Sequence, residues 1–155
     1  MDSPQNHIWG PQLWIILHSA AERIGTKTLN KLPSEEMRLW TALLTSLRYS
    51  LPCPLCKKHF TDYFNNNPLN TFNREFIRGW IYNLHCQVNS RNSLANTITI
   101  DQIPEIYNKP FCFTKHMEII QSQMMLALRL GLCKREDLQK SIRIFNEMNR
   151  FYDFF

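Results

Sequence analysis

Leu51-Pro52-Cys53-Pro54-Leu55-Cys56 is the stretch from which the rest of the chain is read. Pro52 interrupts the helix that arrives from its N-terminal side, and the cysteine pair opens the next one. Two thiols three residues apart at a helix start can make and break a disulfide reversibly. The amide dipoles of the helix N-terminus favour a thiolate there, and the thiolate is the reactive species. The same spacing is also half of a zinc site.

Helical periodicity dominates outward from this point. Leu13, Ile16, Leu17, Ala20 and Ile24 share one face of a first helix that is expected to end near Gly25. Pro33-Ser34-Glu35-Glu36 reads as the next helix start, with Ser34 as N-cap and two acids in the first turn. Met37, Trp40, Leu43, Leu44 and Leu47 continue its apolar face to about Tyr49. The cysteine pair opens a third helix through His59, Phe60, Tyr63 and Phe64, and Asn65-Asn66-Asn67-Pro68 reads as a loop. A fourth helix is expected from about Asn73 to Arg91, carrying Phe76, Trp80, Leu84 and Val88.

Four helices with short connections point to an all-α antiparallel four-helix bundle over residues 1–92. Polar residues 90–97 mark a boundary, and Thr97-Ile98-Thr99-Ile100 is compatible with a short extended piece. Two more helices, about 114–130 and 135–150, make residues 93–155 a C-terminal helical extension that packs on the bundle or dimerises with it. No internal repeat or low-complexity tract is present.

The chain has 155 residues, 44% of them hydrophobic and 20% charged, which suits a globular protein with a real core. Four glycines are too few for a Gly-rich phosphate loop. No apolar run approaches the roughly 20 residues that span a bilayer. Residues Met1 to His7 lack the basic start and apolar stretch of a signal peptide, so a cytoplasmic protein is expected. Its five cysteines then point to redox or metal chemistry before a structural disulfide framework. The net charge of +5 is spread out, and no basic stripe interleaves with aromatics as nucleic-acid binding would require.

Three further signals flank the cysteine pair. Trp14 and His18 stand four apart on one face of the first helix, Trp80 and His85 lie on the fourth, and Asn89 follows one turn below His85. Taken one at a time, a Trp or His on an apolar helix is core packing more often than a ligand. Together they bring aromatic planes, imidazoles and an amide to meet the cysteine helix.

These residues resemble the FAD-linked sulfhydryl oxidases of the Erv/ALR type. Gly10-Pro11-Gln12-Leu13-Trp14 with Leu17-His18 is similar to that family's G-x-x-x-W-x-x-L-H opening. Pro52-Cys53-Pro54-Leu55-Cys56 follows, with Phe60 and Tyr63 after it. Trp80 with His85-Cys86-Gln87-Val88-Asn89 then stands for W-x-x-x-x-H-N-x-V-N, and the likeness covers about residues 8–92. It implies a helical bundle that holds FAD, usually as a homodimer, and catalyses dithiol plus oxygen to disulfide plus hydrogen peroxide. Cys56 would be the flavin-proximal cysteine and Cys53 the exposed partner that meets dithiol protein substrates or a thioredoxin-like carrier. Gly10, Trp14, His18, Phe60, His85, Val88 and Asn89 match or adjoin cofactor-lining positions, and Arg91 is the nearest phosphate partner. A planar flavin wants such faces to stack on, plus donors for its carbonyls and phosphates.

The departures are local. Cys86 stands where the family has Asn, and a thiol cannot supply both hydrogen-bonding roles of an amide. Leu51 replaces the usual Tyr before the Pro-Cys. The family's structural disulfide does not transfer, because the matching fourth-helix position is Tyr82. No second shuttle pair is evident as CxxC or CxC. Cys112 with Cys133, or Cys86 with Cys112, are possible staples, and free thiols under the last two helices are the alternative. The short form looks most like oxidases of large cytoplasmic DNA viruses (iridovirus and asfarvirus type), which would supply disulfides to virion proteins in the infected host cell, or act in the virion. The rival reading is a zinc-binding helical interaction module using Cys53, Cys56 and two of His59, His85 and Cys86.

Overall fold

The computed structural model describes residues 3–27, 29 and 31–154, and among them the fold is all-α with no strand. Met1 and Asp2, part of the stretch tested for a signal peptide, lie outside the described residues. Helix α1 spans Asn6–Ala21, α2 Pro33–Ser50, α3 Pro54–Asn66 and α4 Arg74–Arg91. A 3₁₀ turn, Ile100–Gln102, leads into the short α5, Ile103–Tyr107, and then α6, Phe113–Arg129, and α7, Arg135–Tyr152.

The helix boundaries show where local chemistry overrode pattern. α1 stops at Ala21, four residues before Gly25. The chain then tightens into i→i−3 bonds from Arg23 to Ala20 and from Ile24 to Ala21, and reverses at Gly25 with φ +84°. Ser34 is not the N-cap of α2. Pro33 takes the first helical position, where its fixed φ fits and its missing N–H costs nothing, so the extended Leu32 precedes the helix without a side-chain cap. Leu51 ends α2 in the extended region that a residue before proline prefers. Asn65 and Asn66 belong to α3 and not to the loop. Thr97–Ile100 forms no strand: Thr99 and Gln102 make a reciprocal capping box that starts the 3₁₀ turn.

α4 lies against α1 and α3 against α2. The two most extensive pairings, however, are α7 along α2 and α6 along α1. Phe113, Met117, Ile120, Met124, Leu138, Phe145 and Met148 join Ile16, Leu17, Trp40 and Leu43 in one buried cluster, so a single core runs across residue 92. Burying each large apolar side chain of this kind contributes roughly 1.5–3 kcal/mol. α7 approaches α2 closely because Ser141, Ser46 and Ser50 meet there, with their buried hydroxyls 2.7–2.8 Å apart.

Three polar links lock this arrangement. Arg78 of α4 donates twice to the Glu22 carboxylate at 2.8 Å, with Glu22 almost wholly buried. The Tyr152 hydroxyl donates to Glu36 and accepts from the Trp40 indole, tying α7 to α2. Gln5 N–H donates to the Gln123 side chain, tying the entry of α1 to α6.

Candidate functional site

Cys53 is the N-cap of α3. Its sulfur accepts the Cys56 backbone N–H at 3.2 Å, and the Asn6 side-chain amide lies 3.8 Å away. Pro54 and Leu55 between the two cysteines are exposed, so the pair lies at the surface. Cys56 is half-buried; burial, then the neighbouring Cys53, push its thiol up to about 12. The Cys56 N–H is thus directed at the Cys53 sulfur, while burial dominates at Cys56. The helix start was expected to favour a thiolate; at Cys56 burial acts the other way and prevails.

All five cysteines are free thiols. None of the staples considered for Cys86, Cys112 and Cys133 is formed: Cys112 is exposed ahead of α6, Cys133 is buried beside Lys57, and Cys86 is half-buried on α4.

The aromatic and imidazole residues of α1 and α4 do meet. Trp14 stacks on His85 with ring centroids 4.0 Å apart and planes 8° from parallel. His18 Nε2 and His85 Nδ1 are 3.0 Å apart, so one donates and the other accepts. Tyr107 of α5 stacks on the other imidazole, His18, at 4.5 Å. Burial, helped by the neighbouring His85, lowers His18 to about 3, and burial lowers His85 to about 4. Both rings are thus neutral over the physiological range. His18 Nδ1 is buried with no hydrogen-bond partner, an unusual state for a polar atom in a packed core.

Beside this pair lies a cavity of about 100 Å³, lined by His85, Cys86, Asn89 and Tyr107 together with Tyr82 and the 95–98 loop. Asn89 donates to Asn96 across it at 3.1 Å. Val88 packs partly against the core. A Cβ at Gly10 would meet nothing within 4 Å, which leaves open space beside α1.

Phe60 and Arg91, also expected to line the site, are not on the wall of this cavity. Phe60 is spent on the core, edge-on to Trp80 and against Phe64, and Arg91 is exposed at the last residue of α4. Trp80 itself is tied to the α3–α4 connection by its indole N–H to Asn67 O. Among the described residues, no group of three or more His, Cys, Asp or Glu side chains is placed to hold a metal ion, so the zinc ligand sets drawn from Cys53, Cys56, His59, His85 and Cys86 do not assemble.

Asn6 and Tyr107 were not foreseen. Asn6 carries no pattern of its own, and Tyr107 sits on a five-residue helix that follows an exposed loop. No helix is long and apolar enough to cross a membrane among the described residues. In comparison with known proteins, the model of the Erv1 / Alr family matches residues 11–109, which is more than half of the chain and includes Tyr107. No curated protein and no solved structure matches.

Proposed function

The chain belongs to the Erv1 / Alr family, which generally comprises FAD-linked sulfhydryl oxidases, and on that premise we propose how its residues divide the work. The observation that carries the reading is the pair of buried His18 and half-buried His85, with Trp14 stacked on His85 and the Nδ1 atom of His18 left without a partner. Neutral imidazoles, an indole plane, the Asn89 amide and the open space at Gly10 suit a planar, polar-edged cofactor such as FAD. Gly10, Trp14, His18, His85, Val88 and Asn89 would hold it. Phe60 supports the site from the core, and Arg91, at the end of α4, would serve its phosphates. Bound FAD supplies the two-electron acceptor and the reaction with oxygen, so that dithiol and oxygen give disulfide and hydrogen peroxide.

The protein's own steps begin with the oxidised Cys53–Cys56 pair. A substrate thiolate attacks the Cys53 sulfur, the Cys53–Cys56 bond breaks, and the electron pair leaves on Cys56. The substrate's second thiolate then attacks its own sulfur in the mixed disulfide and expels Cys53 as a thiolate. Asn6 and the Cys56 N–H, both close to the Cys53 sulfur, support the reading in which Cys53 is that leaving thiolate and the substrate-facing sulfur. Cys56, which matches the family's flavin-proximal position, is the flavin-facing one in this reading.

Residues 1–92 form the catalytic unit in this reading, and residues 93–155 form the extension that covers α1 and α2 and brings Tyr107 to the site. A homodimer, dithiol protein substrates or a thioredoxin-like carrier, and a role in supplying disulfides to virion proteins in the cytoplasm of an infected cell complete the proposal. Oxygen consumption with a small dithiol tests it: Cys53→Ser and Cys56→Ala should each abolish turnover while flavin stays bound. Turnover that survives Cys56→Ala would refute the assignment.

A further inference from the structure

A cavity of about 490 Å³ opens between the end of α2, α3 and the start of α7. Four cations line it (Arg48, Lys57, Lys58 and Lys134), against two carboxylates, Asp62 and Asp137. Lys58 is paired with Asp62 at 3.0 Å. Among the described residues, the other three cations have no carboxylate partner. Lys57 is held by the Leu132 carbonyl and lies 3.7 Å from the Cys133 sulfur. Arg48 is held by Thr45 O, with its guanidinium over the rings of Tyr49 and Phe64. Lys57 and Arg48 are thus positioned but not neutralised, Lys134 adds a third charge at the rim, and such a lining focuses a positive field into the cleft.

The cleft adjoins the redox pair. Lys57 lies in the first turn of α3, its N–H bonded to Cys53 O at 2.9 Å. The Cys133 thiol, on the cavity wall, donates to the carbonyl of Leu51, two residues before Cys53. We infer that this cleft docks an acidic segment of the protein whose dithiol is oxidised, and so delivers its thiols to Cys53. The inference rests on the oxidase reading and names its substrate class: dithiol proteins with carboxylates flanking their cysteines. The cavity is of a size that takes a few side chains.

The test separates docking from turnover. Two fluorescein-labelled peptides with serines in place of cysteines, one flanked by aspartate and glutamate and one by lysine, are titrated with the flavin-loaded protein and followed by anisotropy. The acidic peptide should bind, several-fold more weakly as salt is raised through the physiological range, and about threefold or more weakly to Lys58→Glu/Lys134→Glu. The basic peptide should bind measurably less. The cysteine-containing forms should then show a ratio of kcat/KM, acidic over basic, that falls in the same variant. Equal binding of the two peptides, an unchanged ratio in the variant, or tighter binding of single-stranded DNA of matched charge would overturn the docking proposal. Failure of wild-type protein to oxidise any dithiol, with acidic-peptide binding intact, would instead overturn the oxidase reading.

Discussion

Acidification should destabilise this protein through His18, and the size of the effect follows from its burial. In the unfolded chain His18 titrates near 6.5, whereas burial beside His85 lowers it to about 3 in the fold. A histidine with a depressed folded value gives stability that is fully present above its unfolded value and is lost as pH falls toward the folded one. Between about pH 7 and about pH 5 the unfolded state takes up most of a proton at this residue and the folded state almost none. The loss is about 2 kcal/mol. His85 moves in the same direction but is only half-buried, and solvent screening makes its share smaller. Urea unfolding followed by far-ultraviolet circular dichroism at both pH values measures the loss. His18→Phe keeps an aromatic plane under Tyr107 but removes the titration, so the variant should lose less than half of what wild type loses. An equal loss in the two proteins would show that the buried imidazole is not the cause.

Three other outcomes follow from the polar links and the stack. Arg78→Ala leaves the Glu22 carboxylate buried without its two-point partner and should cost about 3–5 kcal/mol in chemical denaturation, much of it recovered in the Arg78→Met/Glu22→Gln double variant. Tyr152→Phe removes one donor to Glu36 and the acceptor of the Trp40 N–H; a loss of about 2 kcal/mol, or about 4–8 °C in the thermal midpoint, is expected by calorimetry. Trp14→Ala takes away the plane stacked on His85, so the purified variant should carry less flavin per chain than wild type, read as the ratio of visible to protein absorbance.

The long helices were legible from their apolar faces, although Met37, expected on that of α2, is exposed in the first turn while Trp40, Leu43, Leu44 and Leu47 are buried. Leu138, Phe145 and Met148 on α7 are spaced as a buried face demands, and they are buried. The misread places are those where a local device competes with the pattern. Thr97-Ile98-Thr99-Ile100 has the β-branched residues of a strand, but no strand pairs with it and the Thr99–Gln102 cap redirects the chain. Pro33 displaced Ser34 from the cap because its geometry favours the first helical position. Within the site, Trp14 with His18 and His85 with Asn89 could be seen as helix-face neighbours, each pair four residues apart. Their meeting across 67 residues is a tertiary fact, as is the stacking of Tyr107. The different environments of Cys53 and Cys56 were equally hidden, since spacing alone says nothing of which sulfur the Asn6 amide reaches.

The visible spectrum of the purified protein, recorded without oxygen before and after a small dithiol is added, tests the central claim most directly. The account predicts the blue-light band of an oxidised flavin that bleaches with the dithiol, returns when air is admitted, and does not bleach in Cys56→Ala. A folded protein without that band, or one whose flavin bleaches equally well in Cys56→Ala, would contradict it.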